Sequence, residues 1–265
     1  MSAPRALRAG EYVAPGYRVF ELLRRGDEVD VYDVWSDERD CRCVVKALRP
    51  DRLADRSARR RLLAEGRLLH SMTHPHLVRV YEVSDRPLPL VVMETLTGAT
   101  LGYLIEDDGP RLATAEIAVL GVQLCSALTY LHARDVLHLD LKPANIICQG
   151  EQAKLIDLGI ARAPGRSKRG VGTPAYMAPE QARGGRLSAA TDIWGLGAVL
   201  YEAATRTLPF GADGWTASTP APLPVGRLRR LPTSMARMID QCLAPRPQDR
   251  PELPQVARIL RSVVR

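Results

Sequence analysis

One short stretch of the sequence sets several polar side chains among apolar runs. The segment Val136-Leu137-His138-Leu139-Asp140-Leu141-Lys142-Pro143-Ala144-Asn145-Ile146-Ile147 carries a carboxylate, an ammonium and an amide close together. Such a trio suits a site that handles anionic oxygen and a cation. Soon afterwards Leu155-Ile156-Asp157-Leu158-Gly159 forms an apolar run that ends in a carboxylate and a glycine. An aspartate at a strand end beside a flexible turn is a good ligand for a hard metal ion. Singly, these residues read equally well as turn aspartates and a capping asparagine. Together they offer a base, a phosphate-binding ammonium and two oxygen ligands for magnesium.

A second pair lies upstream. Glu65 shares a helical stripe with Leu62, Leu69 and Met72, so its carboxylate points toward an apolar interior and needs a partner. Lys46, at the end of the apolar run Cys43-Val44-Val45, is a natural donor. Taken alone, the pair reads first as a structural salt bridge. The residue type adds information. Nearly all basic residues are arginine, and the only lysines are Lys46, Lys142, Lys154 and Lys168. A lysine in such a chain marks a place where a compact ammonium is wanted.

The elements that must position these groups follow from periodicity. Short β-type runs at 17–20, 29–32 and 43–46, separated by turn residues, predict an antiparallel meander. A helix is expected over 51–72, then strands around 77–83 and 90–93. After Gly98 the pattern becomes mainly helical. Thr114 is the expected N-cap of a long helix ending near His132. Strand-like pieces surround 146–147 and 154–156, and a Gly-, Arg- and Pro-rich loop runs over 162–173. An apolar helix over 191–204 and amphipathic helices from Ser234 close the chain, with an irregular connection over 211–232.

Composition narrows the class. The 265 residues suffice for one domain or two small lobes sharing a cleft, and 46% hydrophobic with 25% charged residues fits a globular protein. The longest apolar run, 117–131, is interrupted by Gln123, Ser126 and Thr129 and reads as a buried helix, so no membrane segment is expected. No secretory signal is expected either. The cysteines Cys41, Cys43, Cys125, Cys148 and Cys242 are odd in number and lack paired zinc spacing, which predicts a reduced, cytoplasmic chain. A net charge of +7 admits nucleic acid or an acidic partner. No aromatic-interleaved basic stripe is present, and nucleic acid is not expected. His74 and His76 have the spacing of a metal pair, but their setting in His-Pro-His-Leu-Val favours a structural loop.

In these motifs, over residues 17–260, the chain resembles the protein kinase superfamily, and its Leu141-Lys142-Pro143-Ala144-Asn145 is similar to the wording of bacterial, eukaryotic-like serine/threonine kinases. The resemblance implies an α+β bilobal fold. Its small antiparallel β-lobe with one key helix would span 16–94, after a leader over 1–15, and a larger helical lobe 95–265. It implies ATP and Mg2+, with Lys46 on the α- and β-phosphates and Glu65 as its helix partner. Met93 would be the gatekeeper, and Glu94 and Leu96 the hinge residues. Leu23, Gly26, Val31, Val44 and Ile147 would complete the nucleotide site. Asp140 resembles the catalytic base, Lys142 the lysine on the γ-phosphate, and Asn145 and Asp157 the magnesium ligands. Glu180 of the Ala178-Pro179-Glu180 motif would pair with Arg250, and Asp192 would anchor the catalytic loop. Implied partners are protein serine or threonine hydroxyls, with self-association for autophosphorylation.

Three departures stand out. Where the family's phosphate loop has three glycines, this chain has Arg24, Gly26 and Val29, with Asp27, Glu28 and Asp30 adding negative charge that Arg24 and Arg25 would offset. Weaker nucleotide binding is the expectation, and a nucleotide-binding pseudokinase the alternative function. Leu139 replaces the arginine that commonly receives an activation-loop phosphate, which predicts activity without loop phosphorylation, Ser167 and Thr173 being the loop's only acceptors. Val44 stands where the family usually has alanine.

Overall fold

The structure, a computed structural model, describes residues 5–107 and 109–264. The chain divides into two compact units, one formed by the chain up to Thr73 with Leu77–Thr97, the other by His74–His76 with the chain from Gly98 onward.

The first unit is a six-stranded antiparallel sheet with one helix. Its strands are β1 (Tyr12–Ala14), β2 (Tyr17–Arg25), β3 (Val29–Ser36), β4 (Cys41–Leu48), β5 (Val80–Ser84) and β6 (Leu90–Glu94), and its helix α1 (Arg56–His70). The spatial order is β1-β2-β3-β4-β6-β5. Side chains alternate across a strand. One face of β4 therefore packs Cys43, Val45 and Ala47 against Val19, Tyr32, Val34 and Val92. The other face carries Val44 and Lys46. Register places Val31 opposite Lys46, Val44 opposite Met93 and Lys46 opposite Val91, so these residues share that second face.

Residues 12–14, expected to belong to a leader, instead pair with β2 as β1, and Leu7 packs on the core below. Tyr12–Ala14 was too short a run to register as a strand by periodicity. Helix α1 is shorter than the 51–72 expected. Pro50–Arg52 forms a 3-10 turn, and Asp55 caps the true start by accepting from the amides of Ser57 and Ala58.

Helix α1 buries Ala58, Leu62, Glu65 and Leu69 on one stripe. Beside Glu65 sits Gly66, where a β-carbon would lie 2.5 Å from Val91 Cγ2 and 3.1 Å from Val83 Cγ2. The helix therefore approaches β5 and β6 more closely than any side chain would allow, which brings Glu65 within reach of Lys46.

The second unit contains β7 (Ala99–Thr100), α2 (Leu101–Glu106), α3 (Thr114–His132), β8 (Ile146–Gln149), β9 (Gln152–Leu155), β10 (Gly165–Arg166), α4 (Pro179–Arg183), β11 (Arg186–Leu187), α5 (Ala189–Thr205), α6 (Val225–Leu228), α7 (Thr233–Cys242) and α8 (Leu253–Val264). Thr114 is the first helical residue of α3 rather than its cap. Ala113 takes that place, its amide donating to Glu116 Oε2 at 2.5 Å. Among the described residues α3 alone is long and apolar enough to cross a membrane, and here it packs against α5, α8 and β9. Helix α5 is buried almost all round, which explains its nearly continuous apolar sequence. The 211–232 connection is irregular apart from the single turn of α6.

Gly66→Ala should lower stability by about 1–3 kcal/mol, because Val91 and Val83 are stiff β-branched neighbours. Thermal unfolding checks this, and an unchanged midpoint would mean that the sheet yields freely.

Candidate active site

In the first unit, Lys46 Nζ donates to Glu65 Oε1 at 2.8 Å and Oε2 at 2.7 Å. The Glu65 side chain is 7% exposed and that of Lys46 17%, so solvent weakens this pair little. Val31, Val44 and Met93 lie on the same sheet face as Lys46. Met93 is buried, and Val31, Val44 and Leu96 are half-buried. The Glu94 carboxylate accepts from the Arg79 amide at 2.8 Å, and its own amide donates to the Arg79 carbonyl at 2.9 Å. Leu23 lies half exposed on β2.

The β2–β3 turn is tight, with the Gly26 amide donating to the Val29 carbonyl at 2.9 Å. A β-carbon at Gly26 would come within 2.9 Å of that same carbonyl oxygen, so the turn requires glycine there. The charges around it are balanced differently from expectation. Arg25 lies 3.7 Å from Asp30, but the acidic tip is held mainly by residues further along the chain. Arg49 donates to the Gly26 carbonyl at 2.9 Å, Arg52 to the Asp27 carbonyl at 3.2 Å, and Arg61 of α1 pairs with Glu28. Arg61 and Glu65 are four residues apart, one helical turn, so the turn and the Lys46 partner hang on the same helix. Sequence spacing carried no sign of this arrangement, because the three arginines reach across the unit.

In the second unit, the loop bearing Asp140 is fixed by a buried carboxylate. Asp192 of α5 is 1% exposed; its Oδ2 accepts from the His138 amide at 2.9 Å and its Oδ1 from the Leu139 amide at 2.7 Å. His132 of α3 lies 2.7 Å from the same Oδ2. These bonds hold Leu139 at φ +67°, a left-handed conformation that costs a non-glycine residue about 1–3 kcal/mol. His138 is fully enclosed, and burial pushes its pKa below the ordinary value, so the ring stays neutral and its Nδ1 accepts from the Asp140 amide at 3.3 Å.

Asp140 is then surrounded by donors. Lys142 Nζ reaches its Oδ2 at 2.7 Å. Asn145 Nδ2 donates to its carbonyl at 3.0 Å, which leaves the amide oxygen of Asn145 as the group suited to a cation. Thr173 donates to Asp140 Oδ1 through its hydroxyl at 2.7 Å and its amide at 3.0 Å, and its hydroxyl accepts from Lys142 at 2.7 Å. The sequence marks Thr173 only as a loop phosphoacceptor. The structure commits its hydroxyl to Asp140 and Lys142, and a phosphate there would press a second anion against Asp140.

The β8–β9 hairpin aligns Ile146 with Leu155, and the Ile156 amide donates to the Asn145 carbonyl at 3.1 Å. That register sets Asn145 opposite Ile156, one residue before Asp157, whose Oδ1 accepts from the Gly159 amide at 2.7 Å. One carboxylate and one amide oxygen fit magnesium, which keeps several waters and substrate phosphates as its remaining ligands. Ile147 lies on β8, opposite Thr100 and Lys154.

Around the loop, Leu139 packs with Leu137, Leu187 and Ile160 in a small apolar cluster. Gln181 donates to the Leu139 carbonyl at 2.8 Å and to the Val171 carbonyl at 3.1 Å, tying segment 165–173 to the catalytic loop through neutral bonds. Arg250 makes a bidentate pair with Glu180 at 2.7 and 2.9 Å, donates to the carbonyls of Ala190 and Ala244, and lies over the Trp194 ring. The histidine pair is structural: His76 Nδ1 meets the Ala153 carbonyl at 2.9 Å and His74 Nε2 meets Ser126 Oγ at 3.2 Å. All five cysteines are free thiols, with Cys41 and Cys43 on one face of β4 and their sulfurs 4.0 Å apart.

Comparison with known proteins places the chain in a family. The family model described as the protein kinase domain matches residues 17–259. The serine/threonine-protein kinase PkaA of Streptomyces coelicolor is 36% identical over 232 residues, covering 83% of this chain and 42% of the relative. The serine/threonine-protein kinase PknB of Mycobacterium tuberculosis is 36% identical over 216 residues, covering 76% of this chain and 34% of the relative. The chain thus spans less than half the length of either. Among solved structures, the PknI kinase domain of Mycobacterium tuberculosis superposes with a TM-score of 0.77 at 23% identity, covering 97% of this chain and 99% of that one. The chain belongs to the protein kinase family, and its fold is the kinase fold.

Asp192→Ala would leave the two loop amides unpaired, about 1–3 kcal/mol each, and release the strained Leu139 backbone. We expect a lower unfolding midpoint and a fall in turnover of about 100-fold, since small misplacements of reacting groups cost that much. Turnover within twofold of the parent would show that Asp140 is held by other means.

Proposed function

We propose that this chain is a serine/threonine protein kinase that transfers the γ-phosphoryl group of ATP, with Mg2+, to a protein hydroxyl. The observation that carries this reading is Asp140, whose carboxylate meets Lys142 and Thr173 at 2.7 Å while Asn145 holds its carbonyl. A carboxylate so oriented accepts the proton of a substrate hydroxyl as its oxygen attacks phosphorus, and Lys142 balances charge on the transferring group. Thr173 fixes the rotamer of the base and the position of the lysine together. Lys46, steadied by Glu65, is the ammonium for the α- and β-phosphates. Asn145 and Asp157 would hold the metal, which when bound neutralises phosphate oxygens. Catalysis in such a site is positioning and electrostatics rather than covalent chemistry.

The same reading covers regulation. Leu139 lies in an apolar cluster and offers no charge to a phosphate, while Gln181 supplies neutral ties between the segment and the loop. The enzyme is therefore active without phosphorylation of that segment. Its partners are protein substrates, including a second copy of itself in autophosphorylation, and its compartment is the cytoplasm.

Incubation with labelled ATP and Mg2+ tests the activity directly. Asp140→Asn and Lys46→Met should each reduce phosphorylation by at least about 100-fold, and Asp157→Asn should do the same. Undiminished labelling by purified Asp140→Asn would refute the assignment. Phosphatase treatment followed by assay should leave the rate within twofold, and a loss traced to Ser167 would overturn the phosphate-independent mode.

A further inference from the structure

The segment that supplies Thr173 to the base is also strongly basic. Between 162 and 186 it carries Arg162, Arg166, Lys168, Arg169, Arg183 and Arg186 against a single acidic residue, Glu180. Glu180 is already consumed by Arg250. All six cationic residues are exposed. Among the described residues, none of Arg162, Arg166, Lys168, Arg169 and Arg186 has a carboxylate within ion-pair distance.

The local fold concentrates these charges instead of dispersing them. Strands β10 and β11 pair Arg166 directly with Arg186, and like charges directly opposite one another destabilise a ladder. The Ser167 amide donates to the Gly185 carbonyl at 3.1 Å, which keeps Lys168 beside that pair. A β-carbon on Gly184 would lie 3.1 Å from the Arg169 amide nitrogen, so Arg169 runs against the α4–β11 turn. Arg183 is held in place by its guanidinium, 4.5 Å from the centroid of the Trp215 ring. The strip is therefore built at a cost on a hydrogen-bonded backbone.

It also adjoins the base. The Gly170 amide donates to the Gln181 carbonyl at 3.1 Å, and the Gln181 side chain reaches the Leu139 carbonyl, one residue from Asp140. Whatever presents a hydroxyl to Asp140 passes near this strip. A polypeptide that carries both the hydroxyl and negative charge satisfies both surfaces at once.

We propose that this strip binds acidic residues flanking the phosphoacceptor, so that the enzyme favours protein substrates whose serine or threonine lies in a Glu/Asp-rich segment; this rests on the kinase reading above. Electrostatic complementarity of this kind acts on encounter and register, and it weakens with salt.

The test uses three peptides of equal length, with one threonine flanked by glutamate, alanine or lysine, phosphorylated by the whole chain at low salt. We expect kcat/KM for the glutamate peptide to exceed that for the alanine peptide by about tenfold, mainly through KM, with the lysine peptide poorest. In Arg166→Ala/Arg186→Ala the preference should fall below about threefold, while the alanine peptide stays within about twofold. Equal kcat/KM on the glutamate and alanine peptides, or a preference that survives the double variant, overturns the proposal. Stronger competition by a single-stranded oligonucleotide than by a glutamate peptide of equal charge also overturns it, as that marks a nucleic-acid site. Absence of turnover on every peptide would refute the kinase reading instead. Fluorescence anisotropy with a labelled glutamate peptide then decides the surface by itself: weaker binding in the double variant supports it, and undiminished binding overturns it.

Discussion

A carboxylate removed from water must be matched by donors, and that requirement at Asp192 governs the second unit. Its two oxygens bind the amides of His138 and Leu139 and the ring of His132. Those bonds offset the cost of a left-handed Leu139 and turn the following residue, Asp140, toward Lys142 and Thr173. The helix that provides Asp192 is buried nearly all round. The orientation of Asp140 is thus set by core packing rather than by the loop itself.

The first unit solves a similar problem with different means. Glu65 is too buried to remain unpaired, and Lys46 satisfies it bidentately. The pair forms because Gly66 lets α1 settle against Val91 and Val83. The turn that lacks the family's usual glycines is clamped instead by Arg49, Arg52 and Arg61. Flexible backbone has been exchanged for side-chain tethers, and one tether sits a helical turn from Glu65. Through Arg61, the turn is tied to the same helix that carries the Lys46 partner.

The segment 162–186 shows how one replacement redistributes roles. With leucine at position 139, the place of a phosphate receptor is taken by an apolar cluster of Leu137, Leu139, Leu187 and Ile160. The arginines of the segment stay exposed instead, with Arg166 and Arg186 directly opposed across β10–β11. Leucine inside and arginine outside are two sides of one local design.

The sequence by itself determined the family and most of the elements. Lys46, Glu65, Asp140, Lys142, Asn145 and Asp157 stood out because they are polar residues set in apolar runs, and the fold gives Lys46 to Glu65 and Lys142 and Asn145 to Asp140. Helices α3 and α5 and strands β3, β4 and β6 were legible because burial writes periodicity into residues close along the chain. Tertiary structure alone decided what depends on distant approach. It turned Tyr12–Ala14 into a strand by pairing with β2, and began α1 at Arg56 through the Asp55 cap. It committed Thr173 to Asp140, and it assigned three remote arginines to the acidic turn. Local pattern records which face of an element is buried; it does not record which side chain, tens of residues away, will arrive to complete a hydrogen bond.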